Sequence, residues 1–330
     1  MKKVRVLQVG VGNFGEGWAR NIIPACSEIT EFVGIVDRRS DRLAEFQGIA
    51  PLFMNLEEAL EAAKPELVIN VTPPDMHTPL NLMLIKRGFA VLCEKPLADS
   101  NENADLIERL LGKTGGFLMI GENYRYKTVL RTLRGMIKSG NFGQVHRVSC
   151  SFRRRHPDMS TLYHGRLAHP LLEDVTIHHL DVARFLSGEE PLDVWCREAP
   201  AYYSWYGDKP ASAVIVSEMT HGVSFTYEGT LAAATCITDW NGFWDIECDK
   251  AVLMLRGNEI HIATEDGIEI IGGFGKEEDS RLQELKEACA AIREERKGET
   301  DFSNNIHSFR WMTGAIHSAF EKRTIHLRED

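Results

Sequence analysis

The sequence has no C-x-x-C pair, and its cysteines stand scattered at 26, 93, 150, 196, 236, 248 and 289. An odd, unspaced set excludes a disulfide framework and a zinc knuckle, and it fits free thiols in a reducing compartment. Positive charge is not in excess either: 38 Lys and Arg face 48 Asp and Glu, a formal net charge of -10. That balance excludes a general affinity for nucleic acid or for an anionic membrane. No stretch approaches the roughly 20 apolar residues of a membrane span. The opening MKKVRVLQVGVG begins basic and turns apolar, but the apolar part is short and alternates with Arg5 and Gln8. It reads as a first strand rather than a signal peptide. Internal repeats, low-complexity tracts and long linkers are also missing. A cytoplasmic protein without nucleic-acid or membrane partners is the expectation.

What is present is ordinary globular sequence, 43% hydrophobic and 26% charged, and 330 residues suggest two domains rather than one core. The first part alternates strand and helix. Buried strands are expected at 4–10, 31–37, 66–72, 89–96 and 116–123, with helices from Asn13 to a break at Pro24, then at 56–63, 75–88 and 101–113. Such alternation gives a parallel sheet covered on both faces. After about residue 145 the texture changes to strands separated by tight turns, with hairpin signals at His221-Gly222, Gly257-Asn258 and Asp266-Gly267. A run of hairpins implies an antiparallel sheet. Helical segments at 279–298 and 304–323 follow.

The first strand runs into Gly10-Val11-Gly12-Asn13-Phe14-Gly15. A G-x-G-x-x-G run is weak alone, but here it follows a strand, opens a helix, and has Asp37 at the end of the next strand. Gly10 makes the tight turn, Gly12 admits a pyrophosphate close to the backbone, and Gly15 lets helix and strand approach. The N–H groups of the helix start, at Asn13 and Phe14, are available to phosphate. Asp37 is suited to accept from ribose hydroxyls and to repel a 2′-phosphate, which favours NAD. Arg38 and Arg39 beside it keep NADP as the alternative.

The segment LLEDVTIHHLDVARF, 171–185, sets polar groups into an apolar stretch. At helical spacing Asp174, His178 and Asp181 share one face, while Leu172, Val175, His179, Val182 and Leu186 line the next. By themselves these residues fit a metal site, an acid–base site or a buried polar network. His156, His164 and His169 crowd the same region and keep the metal reading open.

The run Glu94-Lys95-Pro96 after a buried strand, downstream of the glycine fingerprint, resembles the Gfo/Idh/MocA family of nicotinamide-dependent sugar and polyol oxidoreductases. VTPPDMHTP at 71–79, GENYRY at 121–126 and SGNFGQVHRV at 139–148 agree with it. So does Asp174-x-Thr176-x-His178-x-x-Asp181, except that Thr176 stands where the family has glycine. The resemblance covers essentially the whole chain. It implies a Rossmann domain at 1–122 and an α+β domain at 123–330 built on a large, mostly antiparallel, open-faced sheet, which serves substrate binding and oligomerisation.

The resemblance also assigns roles. Lys95, Asp174 and His178 would be catalytic, and Thr72, Pro73, His77, Glu94 and Lys95 would join the fingerprint, Asp37 and Arg38 at the cofactor. An imidazole suits abstraction of a hydroxyl proton, and an ammonium suits a developing alkoxide. His178 is favoured over Lys95 as proton acceptor. Substrate contacts are expected from Lys95, Asp174, His178, Tyr124, Arg125, Arg153, His164 and Arg166. Asp181 and His179 are expected to be structural. No metal is implied. The expected activity is reversible hydride transfer to or from a sugar, inositol or related polyol, in a homodimer or homotetramer. The rival from another class is a non-catalytic nicotinamide-sensing regulator on the same fold.

Overall fold

The computed structural model describes residues 2–274 and 278–327. The chain forms two compact units, Met1–Asn123 with Glu278–Ile306, and Tyr124–Glu277 with His307–Asp330. The expected division into 1–122 and 123–330 therefore needs one correction: residues 278–306 return to the first unit. The reason is apolar. The helix Ser280–Arg293 buries Leu285, Ala288, Cys289 and Ala291 and packs against the helical segment that follows the first strand.

The first unit is a parallel sheet of β1 (Val4–Val9), β2 (Thr30–Val36), β3 (Leu52–Phe53), β4 (Leu67–Asn70), β5 (Ala90–Glu94) and β6 (Leu118–Gly121), in the order β3-β2-β1-β4-β5-β6. That is the Rossmann order, in which ligands bind beyond the carboxyl ends where the order reverses, between β1 and β4. Strands β4 and β6 are buried throughout, because helices cover both faces. Local chemistry ends the helices where the sequence suggests. Asn55 and Ser100 cap Leu56–Ala63 and Asn101–Thr114, and Gly115 at φ 63° closes the latter.

Pro24 does not break the first helix as expected. A π-turn at Trp18–Ile22 precedes it and the helix continues through Ala25. Widening the register ahead of Pro24 relieves the clash of its ring with the preceding turn and makes its missing N–H harmless.

The second unit holds β7 (Val145–Arg153), β8 (Asp193–Ala201), β9 (Gly207–Glu218), β10 (Ser224–Thr230), β11 (Phe243–Cys248), β12 (Val252–Arg256), β13 (Glu259–Thr264), β14 (Gly267–Ile271) and β15 (Ile325–His326). Their order is β14-β13-β12-β11-β7-β10-β9-β8-β15, antiparallel throughout except for the pairing of β10 with β7. All three hairpin signals join neighbouring strands, and His221 and Gly222 both take positive φ in the β9–β10 turn. The helix Thr128–Lys138, the short strand β15 and the strand β8, whose alternation is interrupted by Glu198 and Pro200, go beyond the expected set.

One face of this sheet is covered by helix Ile177–Ser187, which is buried on nearly every side and closed by Gly188 at φ 79°. The other face carries the exposed apolar side chains Trp195, Val214 and Val216. Among the described residues no helix is long and apolar enough to cross a membrane.

Candidate functional site

The glycine turn in the first unit is built as its spacing requires. Gly10 takes φ 96°, and a Cβ there would lie 2.7 Å from Val71 O. A Cβ on Gly15 would lie 2.5 Å from Gly10 O, so only glycine lets the helix approach β1 this closely. Gln8 secures the approach by donating to Gly10 O and Gly15 O, both at 2.8 Å. Gly12 differs, because a Cβ there would meet nothing within 4 Å. The turn is thus open in front of Gly12, no side chain caps the helix start, and Asn13 and Phe14 are exposed beside it. This cradle fits a dinucleotide pyrophosphate.

Asp37 follows β2 and braces the turn: its Oδ2 accepts from Val11 N–H at 3.0 Å. Arg39 folds back onto the same carboxylate, with Nε to Oδ1 and Nη2 to Oδ2 both at 3.0 Å. Burial by itself would raise the Asp37 carboxyl, but the Arg39 guanidinium and the backbone N–H groups hold it below its ordinary value. Arg39 is therefore committed to Asp37, while Arg38 is exposed.

Thr72 and Pro73 follow β4, where Thr72 Oγ1 donates to Asn70 Oδ1 at 2.6 Å. His77 and Glu94 need correcting as cofactor contacts. His77 is buried, and its ring nitrogens lie 2.8 Å from Pro96 O and 2.9 Å from Thr72 O. It ties the loop after β4 to the loop that carries Lys95. Glu94 points inward instead and accepts from Trp18 Nε1 at 2.8 Å. Burial pushes it up to about 7, despite that bond and the nearby Lys95 and Arg281. Lys95 stands next to it, half-buried, just past the carboxyl end of β5 and joined to Pro96 by a cis peptide.

In the second unit the stripe of Asp174, His178 and Asp181 separates. Leu172–Thr176 is a π-turn, so counting at 3.6 residues per turn does not carry from Asp174 into the helix Ile177–Ser187. Asp174 instead meets the turn Tyr163–Arg166. Tyr163 Oη donates to its Oδ1 at 2.9 Å, and His164 Nε2 lies 3.6 Å from its Oδ2. Lys209 on β9 holds that turn by donating to the carbonyls of Gly165 and Leu167. Neither Tyr163 nor Lys209 is in the expected site set; Tyr163 had only its adjacency to His164 as a signal. Arg166 is exposed on the same turn.

His178 lies beneath this surface, 7% exposed, and its ring stacks on Tyr124. His179 is a core residue. Its Nε2 lies 3.0 Å from Trp240 O, its Nδ1 lies 3.4 Å from Tyr227 Oη, and burial pushes it down to about 3, so it is neutral. Thr176 stands where the family pattern has glycine. It is fully buried, and its Oγ1 donates to Tyr227 Oη at 3.1 Å.

Two expected substrate contacts are overturned. Arg125 is buried and forms a bidentate pair with Asp181, Nε to Oδ2 at 2.5 Å and Nη2 to Oδ1 at 2.7 Å. Ser308 Oγ donates to the same carboxylate at 2.7 Å. Burial would raise Asp181, but Arg125 and Arg184 hold it below its ordinary value, as a structural acid. Arg153 lies on the opposite side of β7 from Phe152, whose ring faces His179. Period-two alternation sends Arg153 to the open sheet face, where it meets Cys236 O and Glu228. Of the other clustered histidines, His169 pairs with Glu198 at 2.6 Å, while His156 meets Tyr206 Oη at 3.1 Å and keeps its ring 5.7 Å from that of His164. Among the described residues no group of three or more His, Cys, Asp or Glu is arranged to hold a metal ion.

Comparison with known proteins agrees with this architecture. Residues 4–122 match the oxidoreductase family with an NAD-binding Rossmann fold, and residues 130–253 match the GFO/IDH/MocA C-terminal domain. An uncharacterised protein of Sinorhizobium fredii is 28% identical over 78% of this chain and 74% of its own length. An inositol 2-dehydrogenase of Rhizobium meliloti is 28% identical over 62% of this chain and 61% of its own. An oxidoreductase from Agrobacterium radiobacter, solved in complex with NAD+, L-tartaric acid and magnesium, superposes with a TM-score of 0.88 at 20% identity, covering 99% of both chains. The glycine turn, the strand order and the two matched domains together place the chain in the Gfo/Idh/MocA family of oxidoreductases, with an NAD-binding Rossmann domain as its first unit.

Proposed function

We propose that the protein is a dehydrogenase acting on a carbinol carbon of a sugar, inositol or related polyol, reversibly, with the bound nicotinamide supplying the hydride acceptor. The observation that carries this reading is that one stretch of chain supplies both Asp174, in the π-turn Leu172–Thr176 and held by Tyr163 and His164, and His178, in the helix that follows and fixed against Tyr124. A carboxylate and an imidazole are the residue types that proton removal from a hydroxyl requires. His178 is the proton acceptor. Lys95, at the carboxyl end of β5, carries an ammonium, the kind of group that stabilises developing alkoxide charge. Asp174, His164 and Tyr163 bind the neighbouring hydroxyls of a polyol, whose several donors and acceptors match them. Gly10, Gly12 and Gly15 cradle the pyrophosphate and Asp37 favours an unphosphorylated ribose, which supports NAD. The kinship with an inositol dehydrogenase supports a cyclic polyol as the substrate class.

The open face of the second sheet supports a homodimer or homotetramer. Trp195 and Val216 stand opposite one another in register, and Val214 lies beside them. A cleft of about 400 Å3 on that face is bordered by Arg153, Arg197 and Glu228.

The direct test follows nicotinamide reduction with NAD and, separately, NADP over inositols, aldoses, uronates and sugar phosphates, with Lys95→Ala and His178→Ala alongside. Turnover of one class, lost in both variants while NAD binding persists, is expected. Tight NAD binding without turnover on any compound would turn the reading toward a nicotinamide sensor.

A further inference from the structure

The ring of Tyr124 is held from both sides. The His178 imidazole lies parallel to it, centroids 4.4 Å apart and planes within 3°. The Lys127 ammonium lies 3.3 Å from the centroid of the same ring. The two must occupy opposite faces, because on one face the ammonium would overlap the imidazole. Lys127 is itself anchored: Nζ donates to Asn241 Oδ1 at 2.6 Å, and Asn241 Nδ2 reaches Asp239 Oδ2 at 3.3 Å. Both Asp239 and Asn241 come from the connection between β10 and β11, whereas Tyr124 and Lys127 precede the helix Thr128–Lys138.

We propose that Tyr124 and Lys127 are positioning residues for His178. The Tyr124 ring fixes the plane of the imidazole, so its nitrogens stay on one bearing, and Lys127 pins the ring from behind by a cation–π contact. An imidazole on a helix otherwise turns about its side-chain bonds. A general base must keep its acceptor nitrogen within hydrogen-bond reach of one hydroxyl, and loss of that bearing lowers the rate more than it lowers binding. The inference rests on the reading of His178 as proton acceptor.

Tyr124→Leu, Tyr124→Phe, Lys127→Met and Lys127→Arg test it. Removing the ring is expected to lower kcat about tenfold or more, while KM for NAD stays within about twofold. Tyr124→Phe, which keeps the ring, restores most of that loss. Lys127→Met gives a smaller loss that Lys127→Arg recovers. A second readout needs no turnover: the ring-proton resonance of His178, assigned by its disappearance in His178→Gln, shifts in Tyr124→Leu as the ring current is removed and is retained in Tyr124→Phe. Two results overturn the proposal: an unmoved resonance and unchanged kcat in Tyr124→Leu, or Tyr124→Phe as impaired as Tyr124→Leu, which would make the hydroxyl the acting group. Full turnover by His178→Gln would instead sink the acceptor role of His178, while the resonance still decides whether Tyr124 holds the ring.

Discussion

Single residues in the nucleotide turn do separable jobs. Gly15 is required by packing, since any Cβ would press on Gly10 O, whereas Gly12 has extended backbone and open space before it. Gly15→Ala is therefore expected to destabilise the fold by about 2–3 kcal/mol, as overpacking does. Gly12→Ala is expected to leave the melting temperature within about 1 °C and to weaken NAD at least about tenfold, because its methyl occupies the phosphate approach. Calorimetric unfolding and NAD titration of both variants check the pair, and equal losses in both measurements would reject the distinction. Thr176 is a residue-scale lesson of the opposite kind. The departure from the family pattern is a buried hydroxyl bonded to Tyr227.

At the scale of elements, the helix Ile177–Ser187 is held by a buried ionic network. Asp181 accepts from Arg125 and Ser308, and Arg184 donates to Glu190 through Nε and Nη2, both at 2.6 Å. Asp181→Asn removes the carboxylate charge that Arg125 and Arg184 face and is expected to cost about 3–5 kcal/mol in denaturant unfolding. An unchanged midpoint would show that the charge on Asp181 does not hold the helix. The same helix explains how far its chemistry was legible. The spacing predicts one shared face for Asp174, His178 and Asp181, whereas the π-turn Leu172–Thr176 resets the register between Asp174 and the rest. Strand alternation did the same for Arg153: its place in an arginine cluster suggested the site, and its parity on β7 sends it to the other face.

Across the whole first unit, two buried carboxyls set a pH dependence. Burial, with the Glu94 and Glu122 carboxylates beside it, pushes Glu284 well up, and neither of its oxygens has a hydrogen-bond partner. Burial likewise pushes Glu94 up to about 7. A carboxyl whose folded value lies above its unfolded one contributes stability that is complete below the ordinary carboxyl range and is lost as pH rises through the folded value. The melting temperature is thus expected to fall from about pH 5 to pH 8, and Glu284→Gln is expected to flatten that fall while matching the natural protein near pH 5. A parallel decline in both proteins would refute the assignment. For the second unit, Val214→Glu with Val216→Glu places charge on the exposed sheet face. It is expected to convert the proposed oligomer to monomer in sedimentation, and an unchanged oligomer would locate the interface elsewhere.

The sequence by itself determined the order of strands and helices, the glycine turn with Asp37, the hairpin turns, and the residue types at the proposed site. These depend on neighbours in the chain: apolar period, caps, the backbone freedom of Gly10 and the missing side chain of Gly15. What only the tertiary structure decided is which polar groups face each other. The bond of Asp181 to Arg125, of Thr176 to Tyr227 and of Glu94 to Trp18, and the return of residues 278–306 to the first unit, all join distant parts of the chain. A buried polar group must find a partner wherever the packed core offers one, and that offer is made by elements whose separation in sequence carries no signal.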